Sequence, residues 1–97
     1  MITHIVMIKF KDNVPKEKIL EIKKDIEHLV NSIKEIKSME VGLNFANEDR
    51  AMDLVLTSKF DTKEDLDIYA KDKTHQKVIA KIKEVAEYTK VVDYINE

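Results

Sequence analysis

Cysteine and tryptophan are absent from this 97-residue sequence, which also contains only one glycine and one proline. Without cysteine there is no disulfide, no thiol nucleophile and no thiolate metal ligand. A single glycine leaves no glycine-rich phosphate-binding loop, and no stretch has the composition of a flexible linker. No apolar run approaches the roughly 20 residues of a transmembrane helix. The N-terminus also lacks the features of a signal peptide, so we expect a cytoplasmic protein.

Neither sign of charge dominates, because 17 lysines and arginines are interleaved with 19 aspartates and glutamates. No basic stripe is present, which argues against a nucleic acid or an anionic membrane as a partner. The length fits a single domain over residues 1–97. A domain of this size buries only about 60–65% of its unfolded surface, so association would add to a thin core.

Alternation of apolar and polar residues predicts four strands. They are expected at residues 2–10, 38–45, 51–60 and 88–95.

Helices are predicted between these strands. Apolar residues recur every three or four positions over residues 15–36, which favours one continuous helix of about five turns. Thr62 has capping-box spacing to Asp65 and is predicted to start a short helix. Thr74 is predicted to cap the next helix, with the break between the two near residue 73.

The resulting β-α-β-β-α-β order predicts an α+β, ferredoxin-like fold, in which a four-stranded antiparallel sheet has its helices on one face. Its two central strands would carry apolar residues on both faces, leaving Ile5, Met7 and Val55 on the open one. That favours a homodimer through the open sheet face. The alternative is a tolerated open face, which antiparallel sheets often have. Gly42, inside a strand, indicates a bulge or a close approach by another backbone.

Three residues are candidates for chemistry: His4, Tyr69 and His75. His75 follows the predicted helix start, where the partial positive charge of the helix disfavours an imidazolium, and a neutral imidazole can act as a general base. The Tyr69 hydroxyl could donate a hydrogen bond to an oxygen that gains negative charge. His4 belongs to the helix-facing side of the first strand. For all three, a purely structural role in packing or hydrogen bonding stays open.

The remaining polar residues predict no further site. His28 lies off the apolar stripe of the long helix and is interpreted as solvated. Two histidines without a correctly spaced third ligand make a poor metal site, and the spacing of Asp93 gives no support for one. We therefore predict no metal and no cofactor.

Short segments in a fixed order carry a family resemblance. They are His4-Ile5-Val6, Lys9-Phe10-Lys11, Glu40-Val41-Gly42-Leu43-Asn44, Phe60 with the helix through Tyr69, Thr74-His75-Gln76 and Val91-Val92-Asp93-Tyr94. Together they span nearly the whole chain, and in this order and spacing they resemble the stress-responsive A/B barrel (Dabb) domain family. The resemblance implies a ferredoxin-like monomer whose sheet faces that of a second copy, giving a dimeric α+β barrel.

The resemblance also implies roles for the three candidates. In olivetolic acid cyclase-type members, a histidine and a tyrosine matching His75 and Tyr69 are the catalytic pair, and the histidine matching His4 lies in the same pocket. Carried over, His75 would remove a proton next to a carbonyl, Tyr69 would hold the enolate and His4 would orient the substrate. The long helix has aliphatic residues such as Ile22 and Ile26 where the cyclase has aromatic ones, so we expect a reshaped cavity.

Three functions stay open on the sequence alone. The first is a small dimeric enzyme, cyclase- or lyase-like, that performs acid/base chemistry on a carbonyl substrate. The second is a non-catalytic dimer that binds a small ligand, or a protein during stress. The third is a haem-binding or cofactor-free monooxygenase-like barrel, for which no residue argues directly.

Overall fold

Four strands and four helices make up the chain, and the computed structural model describes residues 1–97. The strands are β1 (Ile2–Phe10), β2 (Ser38–Leu43), β3 (Leu54–Phe60) and β4 (Ala86–Ile95). The helices are α1 (Lys16–Glu27), α2 (Leu29–Ser32), α3 (Lys63–Lys71) and α4 (Lys73–Val85). None of the helices is long and apolar enough to cross a bilayer.

The strands form one antiparallel sheet in the order β2-β3-β1-β4. This confirms the predicted ferredoxin-like α+β fold, with β1 and β3 in the centre. The pairing aligns His4 of β1 with Ser58 of β3 on one side and with Asp93 of β4 on the other. Because side chains opposite each other in register point to the same face, these three residues share the helix side of the sheet.

The core lies between that face and the helices. Ile8 of β1, Phe60 of β3 and the α1 residues Ile22 and Ile26 are at most 1% exposed. Full burial of such a side chain contributes about 1.5–3 kcal/mol. The alternating pattern of the central strands and the apolar stripe of α1 therefore meet as the sequence predicts.

The first helical region differs from the prediction of one continuous helix. α1 ends at Glu27, the single turn of α2 follows, and Ile33 is already extended. Ile33 and Ile36 are nevertheless buried. The apolar spacing continues past the end of the helix because the chain keeps packing on the core, and burial alone produces that spacing. His28 lies at the break and is exposed, as interpreted from the sequence.

The predicted N-cap of α3 is confirmed, whereas the predicted N-cap of α4 is wrong. The Thr62 side chain accepts a hydrogen bond from the Asp65 backbone N–H, which confirms the predicted cap. The predicted cap at Thr74 is wrong, because the Asp72 carboxylate accepts from the backbone N–H groups of Thr74 and His75. Aspartate is a strong N-cap residue, and it stands two positions earlier. His75 is therefore the third residue of α4.

Strand ends also differ from the prediction. β2 stops at Leu43, and Phe45, predicted to lie in the strand, is 99% exposed. β3 begins only at Leu54, whereas β4 begins as early as Ala86. The connection between β2 and β3 is thus longer than predicted. It contains an aromatic side chain that packs on nothing in this chain.

The face away from the helices is open. It carries Ile5 and Met7 from β1, Val55 from β3 and Val92 from β4. Val55 is 37% and Val92 53% exposed. No helix of the chain covers these apolar side chains, as the sequence predicts.

Candidate functional site

A cavity of about 250 Å³ lies between the sheet and α4. Its lining residues are His4, Val6, Ile8, Leu56, Tyr69, His75, Ile79, Ile82, Lys83, Thr89 and Val91. The other lining residues are buried or half-buried, whereas Lys83, Thr89 and Val91 are exposed and form the mouth. The fold thus brings all three sequence-predicted residues, from β1, α3 and α4, into one cavity.

His75 stands at the inner end of the cavity, in the first turn of α4. Its Nδ1 atom is buried and has no hydrogen-bond partner. Burial lowers the pKa of the imidazole, and the neighbouring His4 acts in the same direction. The carbonyls of Ala70 and Tyr69 and the charge of Asp72 oppose this shift only in part. The lowered pKa was expected, but its main cause is loss of solvent rather than the helix N-terminus.

Tyr69 lies against His75, with 4.0 Å between the ring centroids and 31° between the ring planes. On its other side it packs against Phe60 at 5.1 Å, so the phenol ring is fixed between the core and the imidazole. Burial raises the pKa of Tyr69 far above neutral pH. The hydroxyl therefore stays protonated and keeps its capacity to donate a hydrogen bond.

His4 of β1 is the third residue of this group and lies on the helix-facing side of the sheet. Its ring meets that of Tyr69 edge-on at 5.9 Å. Its Nδ1 contacts the carboxylate of Asp93 on the neighbouring strand β4. A carboxylate on one ring nitrogen fixes the orientation of an imidazole and leaves Nε2 free for other contacts.

Sequence reasoning missed the role of Asp93, because 89 residues separate it from His4. A signal was nevertheless present. Antiparallel pairing of the first and last strands aligns the two positions directly and puts both side chains on one face. The partner of His4 was therefore accessible from the predicted topology together with the strand register.

The expectation that Ile22 and Ile26 reshape the cavity is wrong. Both are buried in the core and neither lines the cavity. The aliphatic wall comes from Ile79 and Ile82 of α4 instead. These two positions follow His75 at helical spacing, so the helix that carries the histidine also shapes the space in front of it.

The arrangement combines a neutral imidazole, a protonated phenol and a carboxylate-held imidazole around apolar space. The first can accept a proton, and the second can donate a hydrogen bond to an oxygen. No group of three or more histidine, aspartate or glutamate side chains is arranged to hold a metal ion. The described groups suit proton transfer on a small, largely apolar molecule.

The lowered pKa of His75 gives a pH prediction. Its imidazole is expected to titrate below the ordinary value of 6.5. As the pH falls, the unfolded chain therefore takes up a proton at His75 before the folded chain does. The contribution of His75 to the free energy of unfolding is thus present above about pH 6.5 and is lost as the pH falls toward the folded-state pKa. NMR titration of the ring protons, with denaturant unfolding at several pH values, measures both effects. A His75 titration at or above pH 6.5 would contradict the burial argument.

Known proteins resemble the whole chain. A hydroxynitrile lyase from Passiflora edulis superimposes with a TM-score of 0.88 at 25% identity, covering 99% of this chain and 94% of the lyase. A protein from Arabidopsis thaliana gives a TM-score of 0.90 at 26% identity and covers 100% and 96% of the two chains. A dimeric, ferredoxin-like protein of unknown function from Bacteroides fragilis gives 0.82 at 35% identity, covering 96% and 93%. No curated protein sequence matches this one.

The family model described as the stress responsive A/B barrel domain matches residues 2–96, nearly the full chain. The match agrees with the sheet order, with the single helical layer and with the segments that carry the resemblance. This chain belongs to the stress responsive A/B barrel domain family.

Proposed function

We propose that this protein is a small enzyme that performs acid/base chemistry on a carbonyl compound, with His75 as the base and Tyr69 as the hydrogen-bond donor. One observation carries the proposal: the His75 imidazole, whose pKa is lowered by burial, lies 4.0 Å from the Tyr69 ring between centroids, and both residues line one cavity. A ligand in that cavity would therefore meet a neutral base and a protonated hydrogen-bond donor side by side.

The proposed chemistry follows from the protonation states of the two rings. A neutral His75 accepts a proton from a carbon next to a carbonyl or from a hydroxyl. The Tyr69 hydroxyl then donates to the oxygen on which negative charge develops. His4, held by Asp93, orients the substrate. One structural neighbour is a hydroxynitrile lyase. In hydroxynitrile cleavage a base takes the hydroxyl proton, the carbon–carbon bond to the nitrile breaks, and cyanide leaves with the electron pair as the carbonyl forms. The name of this neighbour therefore supports the same class of acid/base chemistry.

The cavity sets the size of the substrate. Its volume of about 250 Å³ lies below the roughly 300–1,000 Å³ typical of pockets for drug-sized ligands. The walls are aliphatic, from Val6, Leu56, Ile79 and Ile82. A short aliphatic ketone, aldehyde or hydroxynitrile suits this space better than a polycyclic or highly polar compound.

Exchange of carbon-bound protons tests the proposal without knowledge of the natural substrate. Small ketones and aldehydes in D2O are expected to lose the protons next to the carbonyl faster with the protein than without it. Tyr69→Phe is expected to slow this exchange by about 10²–10³-fold, because one donor to the developing oxyanion is lost. Proton NMR of the substrate follows the reaction, and hydroxynitrile cleavage is assayed in parallel.

Tyr88→Phe is the matched control, because Tyr88 is 45% exposed and does not line the cavity. Equal rates for Tyr69→Phe and the unmodified protein would remove Tyr69 from the mechanism. Binding of the same compounds without any turnover would favour a ligand-binding protein over an enzyme.

We also propose a homodimer through the open sheet face, and Gly42 supplies an argument from the chain itself. Gly42 has no positive φ, and the β2–β3 register runs through it without a bulge. A Cβ atom built there would meet only the Val55 side chain, at an ordinary 3.6 Å. Nothing within the chain requires glycine at this position, which leaves a close approach from outside. Several of the structural neighbours are described as dimeric.

A further inference from the structure

The mouth of the cavity contains a charge that the proposed proton transfer does not use. Lys83 lines the cavity from the last turn of α4 and is exposed. It forms no ion pair with any carboxylate of the chain. Its ammonium group is therefore free to meet a ligand that enters.

The neighbouring lysine on the same helix, Lys81, is paired with carboxylates of another element. Lys81 binds Asp25 at 2.7 Å and Glu21 at 2.9 Å, fastening α4 to α1. Residues two apart on a helix do not share a face. Lys81 thus faces the neighbouring helix, whereas Lys83 faces the cavity.

No aspartate or glutamate lines the cavity to balance Lys83. Asp93, the carboxylate that contacts His4, lies outside the lining. The walls between mouth and inner end are aliphatic and of low dielectric, and there a single charge acts over a longer range than in water. The cavity therefore has an apolar middle, proton-transfer groups at one end and a cation at the other.

Resting on the proposed function, we infer that the substrate is a short aliphatic carbonyl compound with a carboxylate at its far end, which Lys83 recognises. The carbonyl lies at His75 and Tyr69, and the carboxylate lies at the mouth beside Lys83 and the Thr89 hydroxyl. Eight residues of helix separate His75 from Lys83, which is about 12 Å along the axis. Both side chains lean toward the helix N-terminus, and the longer lysine reaches further back along the cavity than the histidine does, which shortens that span.

A series of methyl keto acids, from levulinate upward by one methylene at a time, tests this inference against the matching methyl esters. Binding is measured by NMR titration of the protein, which needs no turnover. The best acid is expected to bind roughly five- to tenfold more tightly than its ester, as for a partly exposed ion pair. High salt is expected to reduce the preference.

Variants of α4 lysines test whether Lys83 causes the preference for keto acids over their methyl esters. Lys83→Gln is expected to abolish it, and Lys83→Glu to reverse it in favour of the ester. Lys77→Gln, an exposed lysine of α4 that does not line the cavity, is expected to retain it. An unchanged preference in Lys83→Gln would mean that this lysine serves only the C-terminal end of its helix, and the inference would be overturned. Equal binding of acids and esters, or binding of neither, would overturn it as well.

The outcome separates this inference from the proposed function. Keto acids that bind with the Lys83-dependent preference but exchange no protons would leave the recognition intact and refute the enzyme. Ketones and esters that exchange their protons as fast as the acids would leave the enzyme intact and refute the recognition.

Discussion

Replacing His75 with glutamine is expected to slow proton exchange by about 10²–10⁴-fold, the usual contribution of a positioned general base. Glutamine keeps a polar side chain in the cavity but cannot take up a proton at neutral pH. The loss is expected mainly in kcat. An amide can still hydrogen-bond the bound substrate, so the change in KM is expected to be small.

His28→Gln is the control for this substitution. His28 is exposed at the end of α1 and does not line the cavity, so His28→Gln makes the same chemical change at an unrelated position. Its exchange rate is expected to equal that of the unmodified protein. If His75→Gln retained the full rate as well, the base would have to be sought elsewhere in the cavity, with His4 as the next group to replace.

Replacing Val55 with lysine is expected to separate the proposed dimer into monomers. Val55 lies on a central strand in the middle of the open face, opposite Met7 and Gly42. In a two-fold dimer each substitution occurs twice, so two ammonium groups would enter one interface. Charges forced together in this way cost several kcal/mol, so the dissociation constant is expected to rise at least about 100-fold.

Leu20→Lys is the matched control, because Leu20 of α1 is 41% exposed, close to the 37% of Val55. Sedimentation distinguishes the 11.3 kDa chain from twice that mass. We expect Leu20→Lys to sediment as the unmodified protein and Val55→Lys as a monomer with an intact circular dichroism spectrum. An unmodified protein that is monomeric at micromolar concentration would refute the dimer through any face.

The fold was predictable because its signals are local and repeated. Alternation over nine residues of β1 and six of β2 fixes which face of each strand is buried. The end of α1 was not predictable in the same way. The spacing of Ile26, Leu29 and Ile33 suits both a helix and a chain that continues along the core, since the pattern reflects burial rather than backbone angles.

The site was predictable in its residue types and only partly in its contacts. His75 and Tyr69 are near each other in sequence, so their stacking follows from one short turn between α3 and α4. The contact between His4 and Asp93 joins opposite ends of the chain and depends on strand register. Lys83 could not be separated from the other lysines by sequence, because only the direction of α4 decides which of them meets the cavity.

The edge strand β4 contributes to the cavity wall, and it also presents a risk of aggregation. β4 is hydrogen-bonded to β1 on one side only, and nine of its ten residues are exposed. Such an edge presents unpaired backbone groups on which another strand can add. Glu87, Lys90 and Asp93 interrupt the apolar residues along it. Charges on an edge strand oppose aggregation, so removing them is expected to lower the solubility of the protein before it affects the fold.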